Sequence, residues 1–140
     1  GAKKYAEAEM QRVRVTLRLA ADGQEEILEA SGELAADERG RTVQFGSGEA
    51  RYAVSVAETV RIERRGGLSY ALELDPLAET EAILSTPYGS LPARVRTAAV
   101  EREELESGLR VAAEYDLILG VYVQRRSVEF VFEGADCLFS

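Results

Sequence analysis

The chain has 140 residues, 25 acidic and 17 basic, for a formal net charge of −8. That length suits one domain able to bury roughly two-thirds of its unfolded surface, and the charge disfavours nucleic-acid partners. Histidine is absent, lysine occurs only at Lys3 and Lys4, and Cys137 is the single cysteine. Histidine-based nucleophile pairs, imidazole acid–base chemistry, a buried Schiff-base lysine, a disulfide and a cysteine-rich zinc site are thereby disfavoured, and the lone thiol fits a reducing compartment.

Residues 1–11 read as an N-terminal extension, with Gly1 as a tag remnant and residues 2–10 as a short helix or loose segment. It lacks the apolar core of a signal peptide, and no run approaches the ~18 apolar residues of a membrane helix, so no membrane partner is expected. From residue 12 the pattern has period two, broken by Gly, Asp-Gly, Ser-Gly or Pro, the mark of antiparallel strands with one wet and one dry face. Val13, Val15, Leu17 and Leu19 share one face of the first strand. Asp22-Gly23 is a two-residue hairpin turn, and folding about it sets Leu17 opposite Leu28, Val15 opposite Ala30 and Arg12 opposite Glu33. Gly46-Ser47-Gly48 marks a further hairpin.

Val60 and Ile62 precede Arg65-Gly66-Gly67, and Tyr70, Leu72 and Leu74 follow it. A three-residue loop there pairs Ile62 with Tyr70 and Val60 with Leu72. Thr86-Pro87-Tyr88-Gly89 is a Pro/Gly corner, after which Leu91, Ala93, Val95 and Thr97 line one face. Their partner carries Leu109, Val111, Ala113, Tyr115, Leu117 and Leu119, with Glu106-Ser107-Gly108 as a three-residue connection. The last strand, Val121 to Glu133, follows a turn near Gly120, and a bulge around Arg125-Arg126-Ser127 would reset its register. Residues 134–140 form a tail. Its Cys137-Leu138-Phe139-Ser140 ending matches a prenylation signal in form but lacks a preceding polybasic stretch, so Cys137 reads as an ordinary thiol.

These elements make one all-β domain over residues 12–133: about eight to ten strands, curled into an up-and-down antiparallel barrel that removes sticky edges. The opening Val13-Arg14-Val15-Thr16-Leu17 strand, the Thr86–Gly89 turn followed by Leu91 and Thr97, the Tyr115-Asp116-Leu117 strand and the closing strand after Gly120 resemble the YwiB-like family of bacterial proteins. The resemblance spans about residues 12–133 and is most specific at Thr86–Gly89. It implies a calycin-like barrel, similar in shape to lipocalins and fatty-acid-binding proteins, in a cytoplasmic protein of unknown function with no catalytic residues to carry over. Members carry a polar Asn-Gly-type turn where this chain has Leu119-Gly120.

Two places invite a function. At the Thr86–Gly89 corner, Pro87 fixes its own φ and holds Thr86 extended, Tyr88 offers a ring with a polar tip, and Gly89 can take a left-handed conformation. It reads either as a ligand contact at the barrel mouth or as a tight corner capped by an aromatic plug. The second place is an inward polar set, Thr97 and Tyr115 joined by Gln124 and Arg126, which marks either a bonded network or a wet cavity. The expected function is non-catalytic binding of an amphipathic small molecule in the barrel interior, reached past Thr86, Tyr88 and Gly89. An interaction or self-association module with a packed core, such as a homodimer, is the alternative. A hydrolase or isomerase using carboxylates or tyrosines is the weaker one. Adjacent acidic pairs point to opposite strand faces, no phosphate loop follows a strand, and no acidic loop has calcium-site spacing, so no cofactor or metal is expected.

Overall fold

The computed structural model describes residues 10–134; the N-terminal segment and the tail containing Cys137, with the expectations attached to them, lie outside that range. Ten strands follow in chain order: β1 (Gln11–Ala21), β2 (Gln24–Ala36), β3 (Arg41–Ser47), β4 (Ala50–Val56), β5 (Val60–Arg65), β6 (Tyr70–Leu74), β7 (Thr80–Thr86), β8 (Gly89–Leu105), β9 (Gly108–Leu119) and β10 (Tyr122–Gly134). They form one antiparallel sheet in the order β6-β5-β4-β3-β2-β1-β10-β9-β8-β7. The described residues contain no helix. Every neighbour in the sheet is a hairpin partner except β1 and β10, which join the two halves of the meander.

The sheet curls until its two edges meet. There Ser69 and Ser85 exchange both backbone hydrogen bonds at 2.9 Å. Thr80 Oγ1 adds a bond to the Glu73 carbonyl at 2.7 Å. The barrel is thus nearly closed, with a seam much thinner than its other strand pairings. Inside, Val13, Val15 and Leu17 meet Val43, Phe45, Val54, Val60, Leu72, Leu74, Val95, Val111, Phe130 and Phe132 in one buried cluster.

Turn chemistry explains most registers. Asp22 and Gly23 have φ of 53° and 78°, as a type I′ turn requires, and Leu17–Leu28, Val15–Ala30 and Arg12–Glu33 pair as expected. At the last hairpin Gly120 takes φ 63°, and the β9–β10 register runs unbroken from Leu119–Tyr122 to Gly108–Glu133. The bulge expected around Arg125-Arg126-Ser127 is not there, because the glycine alone sets the turn.

Two registers differ from expectation. Ile62 pairs with Leu72 and Val60 with Leu74, two residues further along than the sequence suggested. The β7 edge takes Ser69, and the Ser69 hydroxyl also accepts from Gly66 N–H at 3.1 Å, so the turn lies further on, at residues 66–68. A shift of two keeps each side chain on its face. Between β8 and β9 the connection is the two residues Glu106 and Ser107 rather than three, which sets Glu104 opposite Leu109 and Arg102 opposite Val111. One extra residue, Ala98, bulges out of β8 and returns Thr97 to Tyr115 and Val95 to Leu117.

Beyond the bulge, β8 carries polar side chains on the face it shares with Leu109 and Val111. Arg102 donates to the Ala57 carbonyl, and Glu104 pairs with Arg41 at 2.5 Å. These contacts tie the foot of β8 to β3 and to the β4–β5 turn at the lower end of the barrel, beside a pocket of about 310 Å³ lined by Arg41, Glu104 and Phe132.

Candidate functional site

The upper end differs because strand lengths do. β1, β2, β8, β9 and β10 have 11 to 17 residues, while β3 to β6 have five to seven. The long strands therefore stand above the short ones as a wall, leaving an open mouth. Across the short half, the register lines up Phe45, Tyr52, Arg64 and Tyr70. Across the tall wall it lines up Thr97, Tyr115, Arg126 and Ala21. Tyr70 and Tyr115 meet where the rows converge, over a pocket of about 270 Å³ also lined by Leu19, Gln24, Glu26 and Arg126.

Each row is held by its own contacts. The Phe45 and Tyr52 rings stack at 5.0 Å. Arg64 Nε donates to the Tyr52 hydroxyl at 3.2 Å, and its guanidinium lies 5.7 Å from the ring centre, a cation–π contact. Arg64 also donates to the Leu68 carbonyl. On the wall, Arg126 Nε donates to Gln124 Oε1 at 2.7 Å and Gln124 Nε2 donates to Asp22 Oδ2 at 2.5 Å, anchoring β10 to the first turn. Among the described residues Arg126 makes no ion pair with a carboxylate. Thr97 is 7% exposed, and its hydroxyl has no hydrogen-bond partner.

The electrostatics favour neutral phenols. Burial, reinforced by the neighbouring Tyr115 and Tyr52, pushes the Tyr70 hydroxyl up to about 12, with Arg64 and Arg126 pulling the other way. Burial also raises Tyr115, opposed by Arg126. Both hydroxyls therefore stay protonated at neutral pH and can donate hydrogen bonds, but neither can act as a base. The described residues hold no cluster of three metal-ligating groups. The mouth offers the guanidinium of Arg126 and two protonated hydroxyls as hydrogen-bond donors, beside the carboxylates of Glu25 and Glu26.

Of the residues singled out from sequence, Thr97, Tyr115, Gln124 and Arg126 come together here. Thr86, Tyr88 and Gly89 do not. Tyr88 is 98% exposed at the tip of the β7–β8 turn, so it plugs nothing. Thr86 Oγ1 accepts from Tyr88 N–H at 3.1 Å and donates to the Gly89 carbonyl at 3.2 Å, while Gly89 takes φ 143°, so the corner satisfies itself. Eight residues of extended chain, about 26 Å, separate it along β8 from Thr97. Sequence reasoning did not single out Tyr52, Arg64 and Tyr70. The signal for Arg64 was present: it continues the alternation of Val60 and Ile62, an arginine on an otherwise apolar face.

No curated protein sequence matches the chain. Among solved structures, the crystal structure of the ywiB protein from Bacillus subtilis superposes with a TM-score of 0.74 at 18% sequence identity, over 96% of this chain and 99% of that one. At that identity the likeness speaks for the fold, a barrel of the same build. A family model described as a domain of unknown function, DUF1934, matches residues 4–127, from before β1 into β10, and the chain belongs to that family.

Proposed function

We propose that the protein is a non-catalytic binding barrel that holds an amphipathic small molecule across its upper mouth. One observation carries the reading: Arg126, without a carboxylate partner, stands beside the protonated hydroxyls of Tyr70 and Tyr115 in an open pocket. A partly buried guanidinium is stabilised by acceptors, and among the described residues Gln124 and the Tyr115 hydroxyl supply them while no carboxylate does. The architecture fits calycin-like barrels; that likeness is one of shape. The body of this barrel is filled by its apolar cluster, so the ligand lies over the core with its polar group toward Arg126. The single cysteine supports a cytoplasmic working compartment.

The test is titration with anilinonaphthalene sulfonate, an amphipathic anion, followed by fluorescence. Saturable one-to-one binding that weakens about tenfold or more in R126A, and measurably in Y70F, supports the site. Binding that neither substitution changes rules it out.

A second reading, self-association through the barrel exterior, has its own observation. Ile118 is only 3% exposed yet stands outside the interior cluster, paired with Arg94 and Val123 on the outer face. Val123 and Ile83 are more than half exposed around it. Sedimentation of wild-type protein beside V123D separates the readings, since a dimer lost on substitution would assign that face to a second copy.

A further inference from the structure

We propose that the outside of the barrel carries a second site, for a phosphate group, in the fork between the β1–β2 and β3–β4 hairpins. The β2–β3 ladder ends at Gly32–Phe45, leaving Gln24–Ser31 unpaired on that side. Where the hairpins part, the outer surface dips into a groove of about 690 Å³ lined by Arg12, Ser31, Gly46, Arg51 and Arg65, with Glu33 and Glu63 also present.

Charge is what singles this groove out. Among the described residues, Arg12, Arg14, Arg39, Arg51 and Arg65 make neither an ion pair nor a side-chain hydrogen bond, although carboxylates outnumber basic groups. Three of these five line the groove, and Arg14 stands two residues from Arg12 on the same face. The registers explain this for Arg51 and Arg65, whereas Arg12 stands opposite Glu33 in the β1–β2 ladder without an ion pair. Arg51 sits directly opposite Arg65 in the β4–β5 ladder and opposite Gly46 in the β3–β4 ladder. Like charges in such a pair destabilise a sheet. Glu63 is engaged by Arg61 at 3.6 Å. Glu33 is thus the remaining unengaged carboxylate of the groove, against three guanidiniums.

Gly46 shapes the floor. A side-chain carbon there would lie 3.7 Å from Arg51 Nη1, so the guanidinium lies across bare backbone into the groove. Two planar forks converging from adjacent strands match a tetrahedral dianion, which can accept bidentate bonds from both and cancel their repulsion. A carboxylate offers one negative charge and two oxygens, too few to satisfy both forks. A long polyanion is disfavoured by Glu25 and Glu29 on β2 and by the net charge of −8. The expected ligand is a compact phosphomonoester.

The experiment titrates labelled protein with inorganic phosphate at constant ionic strength and follows the arginine Nε–Hε signals. Arg51 and Arg65 should shift saturably, with half-saturation below about 10 mM. R51A, R65A and R51K, which keeps the charge but loses the fork, should each weaken binding about tenfold or more, while R96A leaves it unchanged. Linear shifts, equal shifts with acetate, or unaltered binding in R51A and R65A overturn the proposal. Melting gives an independent reading. Without phosphate, R65A should melt above wild type because the repulsion is gone, and phosphate should raise only the wild-type midpoint; R65A melting below a phosphate-insensitive wild type overturns it too.

Discussion

A hydroxyl shut away from water without a partner costs stability, and Thr97 carries one between β8 and Tyr115 of β9. Replacing it with valine keeps the shape and removes the unsatisfied group, so T97V should be more stable by about 1 kcal/mol in urea unfolding. A loss of similar size would mean that the hydroxyl is bonded in solution, by water or by a retained ligand. Tyr70 makes a second prediction at this scale. Its hydroxyl titrates near 10 in the unfolded chain and about 12 in the fold. Below pH 10 both states are protonated and its contribution is fully present. Above it the unfolded state loses the proton first, so stability falls by roughly 2 kcal/mol between pH 10 and 12. Y70F should flatten that part of the stability–pH profile relative to wild type, and an unchanged slope would place the phenol in water. The site residues differed in how visible they were in sequence for a related reason. Thr97, Tyr115, Gln124 and Arg126 lie on strands whose alternation reveals which way they point. Tyr52 and Tyr70 read as ordinary members of apolar rows, and only the meeting of β4, β5 and β6 with the tall wall gives them a polar setting. Tyr88, the most conspicuous residue of the sequence, is conspicuous for turn geometry alone.

Registers were legible where a turn had one good solution. Asp22-Gly23 fixes β1 against β2, and the pattern agrees with it at each pair. They were not legible where a contact from elsewhere chose among solutions: Ser85 of β7 draws Ser69 out of the β5–β6 turn, and no local rule contains β7. The β8–β9 hairpin is subtler, because a two-residue turn and a one-residue bulge together leave the inner rows almost as a three-residue loop would. Ala98 is what makes that substitution work. Deleting it would join Thr97 directly to Ala99 and continue the ladder without a break, so that Thr97 stays opposite Tyr115 and Val95 opposite Leu117. The inner row is kept and only the local twist of β8 changes, so the deletion should cost no more than about 1 kcal/mol in urea unfolding. A loss of more than about 3 kcal/mol would show that the bulge itself sets the path of β8 past Tyr115.

At the scale of the molecule, the sheet order is itself a prediction about connectivity. The two sheet edges, β6 and β7, are consecutive in the chain, while the first and last strands are paired in the middle, with Val13 beside Gly134. A permuted chain that joins Gly134 to Gln11 through a short glycine linker and opens at Leu77 would therefore run β7-β8-β9-β10-β1-β2-β3-β4-β5-β6, a simple meander in which each ladder joins neighbours in sequence. Leu77 is exposed, and its loop keeps only local bonds among the described residues, from Ala78 N–H to the Asp75 carbonyl and from Leu77 N–H to Asp75 Oδ1, so little packing is lost by cutting there. The seam would then depend on the Ser69–Ser85 and Thr80–Glu73 bonds and on the apolar packing of Leu72, Leu74 and Ala82, without a covalent link beneath it. This permutant should fold to the same sheet with a stability loss of no more than about 2 kcal/mol and with the amides of β6 and β7 exchanging fastest. Opening instead between Gly120 and Val121 separates β9 from β10 beside the Tyr115–Arg126 pair and should cost distinctly more. If both permutants lose the same amount, the seam between β6 and β7 is as strong as the rest of the wall, and the barrel is closed more tightly than one backbone bridge and one threonine bond imply.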